Sequence, residues 1–326
     1  MLTLLYTDNL DPAHQKLIES VRGGDARSLA RAISTIENHA TGWSELLKAL
    51  FPHTGKARVL GLTGPPGAGK STLVDQLAKL YRKKDRTVGI IAVDPTSPYT
   101  GGAILGDRIR MQDHFADPGI YIRSMATRGS LGGLARTTAD VATVLDAAGR
   151  DIILIETVGV GQDEVDIVRL ADITVVILVP GMGDDVQTIK AGIMEIADIF
   201  VINKSDRDGA ERVEREIRAL QSLAMRKDGW TPPIVQTVAS EGRGVAELAA
   251  AIAEYEKFLQ KENRALKKSV ENWQERLITM LRDAMLEKAR TRLGDGRIAR
   301  LAEEVAEHKR DPYSLVEEIV GKAGSV

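Results

Sequence analysis

The sequence predicts an α/β fold built on a mostly parallel sheet, with a helical segment before it and a helical arm after it. Three observations predict this. Between residues 57 and 258, the apolar runs RVLGLT, TVGIIAVD, GIYIRSM, DIILIET, DITVVILV, DIFVIN and PPIVQTV alternate with segments of helical periodicity. Most of these runs are continuously apolar rather than alternating, as expected of strands buried on both faces of a parallel sheet. A glycine-rich turn carrying Lys70 and Ser71 lies directly after the first run and opens a helical segment. After residue 260 the texture changes to charged helix.

Taken in order, residues 10–50 read as two or three short helices. Leu17, Ile18 and Val21 share one apolar face, and Leu29, Ala30, Ile33 and Ile36 share another. Phe51-Pro52-His53-Thr54-Gly55 breaks the pattern. The boundaries expected are a helical N-terminal extension over 1–56, a nucleotide-binding domain over 57–258 and a helical C-terminal arm over 259–326. In the arm, Leu266, Val270, Trp273, Leu277, Met280 and Ala284 follow a 4-3-4-3-4 spacing, an apolar seam along a long helix. The LGDGR stretch at 293–297 ends that helix, and two shorter helices follow. Asp311 is the expected N-cap of the last, with Pro312 at its first helical position.

Composition narrows the function class. A net charge of −2 argues against nucleic acid or an anionic membrane as main partner. There is no cysteine, which excludes disulfides and thiolate metal sites, and five scattered histidines leave little for a histidine-based centre. The N-terminus lacks a basic region followed by a sustained apolar core, and no run of about 18 apolar residues occurs, so a cytoplasmic location is the expectation.

The motifs carry the chemistry. Gly64-Pro65-Pro66-Gly67-Ala68-Gly69-Lys70-Ser71, followed by Thr72, fits G-x-x-x-x-G-K-[ST], the phosphate-binding loop. Glycines let backbone N–H groups curl around phosphate without a Cβ in the way, and the helix that follows adds its N-terminal dipole. Lys70 is expected to reach the β- and γ-phosphates, and the Ser71 hydroxyl to ligate Mg²⁺. Asn203-Lys204-Ser205-Asp206 is an N-K-x-D element at the end of an apolar run. An aspartate there accepts two hydrogen bonds from the guanine N1–H and amine, a pair of donors that adenine does not offer. Val238-Ala239-Ser240 lies where a further guanine-reading element usually reads Ser-Ala. The Ala239 N–H is a candidate donor to the guanine O6, although Val238 replaces the serine.

Glu156-Thr157-Val158-Gly159 follows a buried run at the position of a D-x-x-G element, with glutamate for aspartate. It predicts a carboxylate on the Mg²⁺ side and a Gly159 N–H directed at the γ-phosphate. Val160 stands where a water-orienting glutamine would, so slow unassisted hydrolysis is expected. A missing group of the arginine-finger kind is worth ~10³–10⁵ in rate. The stretch VDPTSPYTGGAILGDRIRM, with acids Asp94 and Asp107, reads either as a surface loop or as a γ-phosphate sensor. Arg108, Arg110, Arg123 and Arg128 sit in it or just beyond it, open to phosphate, substrate or solvent. By its residues alone, the segment 181–192 is a turn whose Asp184 or Asp185 caps a helix.

Together, GLTGPPGAGKSTL, VDPTSPYTGGAILGDRIRM, IRSMATRGSLGGLA, ETVGVGQDEVD and PGMGDDVQTIKAGIMEIADIFVINKSD resemble the MeaB/ArgK family of P-loop GTPases. Its members are chaperones of adenosylcobalamin-dependent methylmalonyl-CoA mutase, and the likeness covers nearly all of the chain. The resemblance implies a GTP/GDP site with Mg²⁺ on a P-loop GTPase domain. In that site Gly64 through Ser71 bind phosphate, and Asp94, Asp107 and Glu156 lie near Mg²⁺ and the attacking water. Asn203, Lys204 and Asp206 bind guanine. It further implies that 181–192 is a third switch, with Asp184, Asp185 and Gln187 leading to Lys190 in the key position. The arm becomes the dimerisation element of a homodimer. The partner implied is an adenosylcobalamin-dependent acyl-CoA mutase, foremost methylmalonyl-CoA mutase, with the cobalamin adenosyltransferase as a further one. Other cobalamin-dependent acyl-CoA mutases are the closest alternative. A nickel metallochaperone is disfavoured by the lack of cysteine and of a histidine-rich tract. An ArgK-like transport-linked kinase is disfavoured because nothing resembles a dedicated protein-substrate site.

Overall fold

A computed structural model describes residues 12–94, 116–126, 133–157, 170–181, 196–223, 226, 228–294 and 296–321. Among the described residues, seven strands form one sheet in which every pairing is parallel. They are β1 (Arg58–Thr63), β2 (Val88–Asp94), β3 (Ile120–Ala126), β4 (Ile152–Glu156), β5 (Ile173–Leu178), β6 (Ile199–Asn203) and β7 (Ile234–Thr237), in the order β3-β2-β4-β1-β5-β6-β7. Each lies within one of the apolar runs, except that β3 extends one residue past its run to Ala126. Strands β4, β5 and β6 are buried at every residue, which is why their runs show no polar alternation.

Helices cover both faces. On one, α4 (Lys70–Arg82) and α7 (Val245–Gln260) pack Leu73, Leu77, Leu248 and Ile252 against Leu60, Leu62, Leu154 and Ile177. On the other, α6 (Ala210–Leu223) packs Val213 and Ile217 against Phe200 and Ile202. Beside it, α5 (Gly133–Ala147) meets Ile91, Ile153 and Ile155 through Val141, Val144 and Leu145. The N-terminal helices α1 (Pro12–Arg22), α2 (Ala26–Glu37) and α3 (Trp43–Leu50) share that core through Val21, Leu29, Ile33, Ile36 and Leu46. Ala32 joins the buried face of α2 where the spacing had pointed to Ala30.

The amino ends of three strands are fixed by a recurring device. Asp151, Asp172 and Asp198 each stand one residue before β4, β5 or β6, and each accepts a backbone N–H from the neighbouring strand. The donors are Thr87 at 2.7 Å, Val59 at 2.9 Å and Thr174 at 2.9 Å. A side-chain acceptor there continues the ladder where no backbone carbonyl is in place. Asp198 is 1% exposed and also accepts from Arg226 Nη1 at 3.1 Å and Lys268 Nζ at 2.7 Å.

Two compact units are formed, residues 1–268 and 269–326. The second comprises the greater part of α8 (Arg264–Leu293) with α9 (Arg297–Ala306) and α10 (Pro312–Gly321). Gly294 and Gly296, both at positive φ, separate α8 from α9, and the Asp311 carboxylate caps α10 by accepting Ser314 N–H at 2.8 Å. Leu277, Ile278, Leu281 and Met285 on α8 are exposed, as are Tyr313, Val316 and Val320 on α10. Among the described residues, no helix is long and apolar enough to cross a membrane.

Candidate nucleotide site

Because all strands are parallel, the loops after β1, β4, β5, β6 and β7 leave the sheet along one edge, its carboxyl edge, where ligands of open α/β sheets bind. The loop after β1 is the glycine-rich turn. Gly64 has φ 148° and a Cβ there would lie 2.1 Å from Ile177 O of β5. Gly69 has φ 87° and a Cβ there would lie 2.4 Å from Asn203 Nδ2. Both glycines are thus required by close approach as well as by backbone conformation.

Gly69 precedes α4, whose first residue is Lys70. Lys70 is buried to 6% exposure, and its Nζ donates to Gly64 O at 2.7 Å and Pro65 O at 3.1 Å. The ammonium therefore sits inside the curl of the loop, beside the helix N-terminus. That is an arrangement of one full and one partial positive charge able to hold phosphate. Ala68 is buried while Pro66, Gly67 and Thr72 are exposed. One residue into α4, Ser71 Oγ donates to Glu156 Oε1 at 2.6 Å. A hydroxyl and a carboxylate side by side are hard oxygen donors that suit Mg²⁺, which typically takes one or two carboxylates and completes its shell with water and phosphate. Among the described residues, no group of three or more His, Cys, Asp or Glu forms an all-protein metal cage.

The segment after β6 is tied directly to this loop. Asn203, 2% exposed, donates through Nδ2 to Ala68 O at 2.8 Å. Its Oδ1 accepts from Thr237 Oγ1 and from Ala239 N, each at 3.0 Å. Lys204, at φ 55°, donates through Nζ to Gly67 O at 2.7 Å. Asp206 is exposed on the turn that follows. The Ala239 N–H, read from the sequence as a donor to a purine O6, is engaged by Asn203. Val238 is 3% exposed and bridges to Arg243, so it serves the packing of its loop.

The structure thus brings the glycine-rich loop, Lys70, Ser71, Glu156, Asn203, Lys204 and Ala239 into one bonded constellation. Asp94 ends β2 opposite Ala126 of β3, but its side chain lies outside the described residues. So do Asp107, Gly159, Asp184, Asp185, Gln187 and Lys190. Arg123, one of the four arginines left open by the sequence, is committed elsewhere: it forms an ion pair with Glu37 and donates through Nη2 to Ser34 Oγ at 3.3 Å. The Glu37 carboxylate raises the Arg123 pKa, so the pair belongs to the contact with α2. Sequence reasoning missed Thr63, Thr157 and Thr237, three buried hydroxyls at strand ends. Inside apolar runs they read simply as β-branched strand formers.

Comparison with known proteins places this geometry. The model of the family described as methylmalonyl Co-A mutase-associated GTPase MeaB matches residues 29–293. A protein of Pyrococcus abyssi whose name carries the word GTPase is 50% identical over 318 residues, covering 95% of this chain and 98% of its own. The methylmalonic aciduria type A homolog, mitochondrial, of Mus musculus is 36% identical over 273 residues, covering 77% and 66%. A crystal structure of an LAO/AO transport system kinase superposes with a TM-score of 0.73 at 26% identity, covering 97% and 99%.

Proposed function

The chain belongs to the MeaB family of methylmalonyl-CoA mutase-associated GTPases, and from that premise we propose that it runs a GTP cycle that controls adenosylcobalamin loading into a partner mutase. The observation that carries the nucleotide part is the double tie between the phosphate loop and the N-K-x-D segment: Asn203 to Ala68 O and Lys204 to Gly67 O. A base reader fixed to a phosphate cradle selects for a purine nucleotide of defined reach. In this reading Asp206 accepts the guanine N1–H and amine, while Lys70 and the loop N–H groups bind the phosphates. Ser71 and Glu156, with Asp94 and Asp107, hold Mg²⁺. When bound, the ion neutralises charge building on the β- and γ-phosphate oxygens.

Val160 in place of a water-orienting glutamine supports slow intrinsic turnover. The segment 181–192, with Asp184, Asp185, Gln187 and Lys190, reports the nucleotide state to the partner. That partner is an adenosylcobalamin-dependent acyl-CoA mutase, foremost methylmalonyl-CoA mutase, as the family description supports; the cobalamin adenosyltransferase is a further one. GTP turnover by the full chain is expected to rise at least tenfold when the correct mutase is added, and Lys190→Ala is expected to lose most of that rise. Steady-state phosphate release with and without mutase reads both. Equal affinity for ATP and GTP, or no response to any acyl-CoA mutase, overturns the proposal.

We further propose that residues 259–326 form the dimerisation arm. The exposed apolar rows on α8 and α10 support this, since contiguous exposed apolar surface marks an interaction site. Ile278→Glu combined with Leu281→Glu places two charges in the row and is expected to give a monomer by light scattering. An unchanged dimer mass removes the arm from the interface.

A further inference from the structure

The last rung of the β1–β4 ladder pairs Leu62 with Glu156. One residue beyond it the chains diverge, β1 into the phosphate loop at Gly64 and β4 into the segment that begins with Thr157. At that point Thr157 N donates to Leu62 O at 3.1 Å and Thr157 Oγ1 donates to Thr63 Oγ1 at 3.0 Å. Both threonines are sealed from water, at 0% and 1% exposure. Thr63 adjoins Gly64, whose carbonyl accepts Lys70 Nζ; Thr157 adjoins Glu156, whose carboxylate accepts Ser71 Oγ. The hydroxyl pair is therefore a cross-link between the two chain exits that carry the phosphate-binding lysine and the Mg²⁺-side carboxylate.

We infer that Thr157 is a positioning residue for hydrolysis, holding Glu156 in register with the phosphate loop. The inference rests on the nucleotide reading above and adds a residue to it. Packing alone does not require the hydroxyl, since valine has the same branched shape and suits a strand end equally well. What valine lacks is a directional bond at the point where the backbone ladder stops. Misplacing a reacting group by about 1 Å costs on the order of 10² in rate. A loosened exit is therefore felt in the chemical step before it is felt in ground-state binding, where many loop N–H groups share the load.

The test compares Thr157→Val with Thr157→Ser in the full chain, reading single-turnover GTP hydrolysis, GTP and GDP affinity, and thermal unfolding. For Thr157→Val we expect hydrolysis to fall about tenfold or more while both affinities stay within about threefold. Thr157→Ser, which keeps the hydroxyl and loses the methyl, should restore the rate to within about twofold. Thr63→Val added to Thr157→Val should cost less than the sum of the two single losses, because the two hydroxyls bond one another. A full-rate Thr157→Val, a serine variant that fails to rescue, or parallel losses of rate, affinity and melting temperature would each overturn the inference. Wild-type protein without GTP turnover would overturn the nucleotide reading and this inference with it, whereas wild-type turnover beside a full-rate Thr157→Val overturns this inference alone.

Discussion

Lys70→Ala is expected to lower GTP turnover by roughly 10²–10³, the loss typical of removing one preorganised donor from developing negative charge. Lys70 is 6% exposed and held by the Gly64 and Pro65 carbonyls, so its ammonium needs little reorganisation to meet a phosphate oxygen within the same curl. The alanine variant keeps the loop N–H groups and the helix dipole, worth about half a charge, so nucleotide affinity should fall less than turnover does. Lys70→Arg should not rescue. The planar guanidinium is larger than the ammonium and presents a fork where the loop offers room for a point charge. Single-turnover hydrolysis with calorimetric titration of GDP and GTP separates the two effects. Turnover within threefold of wild type would remove Lys70 from the phosphate site.

The second large effect is on stability. Asp198→Ala is expected to destabilise the protein by about 3–5 kcal/mol, the usual cost of removing one partner from a buried ion pair. Asp198 is 1% exposed, and its loss takes the buried carboxylate from Lys268, from the N–H of Thr174 and from Arg226, which keeps Asp228 and the Ala197 carbonyl. Trp230 Nε1 donates to the main-chain carbonyl of Asp198 at 2.8 Å, a bond that alanine keeps, and packs with Tyr255 and Phe258 beside the carboxylate. Burial pushes the Tyr255 hydroxyl well above its ordinary pKa, so the ring cannot supply a compensating negative charge near neutral pH. Lys268→Met should cost less, because Arg226 still balances the carboxylate. Thermal and urea unfolding of both variants and of the double variant measure the coupling. A melting temperature for Asp198→Ala within about 2 °C of wild type would show that the knot contributes little, since ~1 kcal/mol moves a domain of this size by about 2–4 °C.

The sheet was legible in the sequence because a strand buried on both faces writes its own boundaries. The run DITVVILV contains β5, and every residue of that strand is buried. The glycine-rich loop was legible because its spacing is demanded by phosphate rather than by packing, and the Asp311 cap because capping is local. What stayed hidden depends on partners distant in sequence. Periodicity identified a buried face on α2 but could not say that Leu29, Ile33 and Ile36 face the core of α5 and the sheet. Arg123 looked available until Glu37 was placed beside it. Nor does anything local show that the Ala239 N–H meets Asn203 Oδ1. The acids at 151, 172 and 198 passed as ordinary polar flanks of apolar runs, since nothing local shows that each reaches a neighbouring strand.

The strand order carries a consequence for how the chain is made. β1 is the earliest strand in the sequence, yet its two neighbours are β4 and β5, with Leu60 paired to Leu154 on one side and to Ile173 on the other. During synthesis β1 therefore emerges with no sheet partner, stays unpaired until the chain has grown past Glu156, and is paired on one side only until it has grown past Leu178. At roughly 5–20 residues per second that wait is on the order of ten seconds. The phosphate loop that hangs from β1 cannot take its final curl before then, because Gly64 fits closely only against Ile177 of β5. Nascent chains stalled before β5 should be sticky and chaperone-dependent, and those stalled beyond β6 should already be protected from protease around the loop.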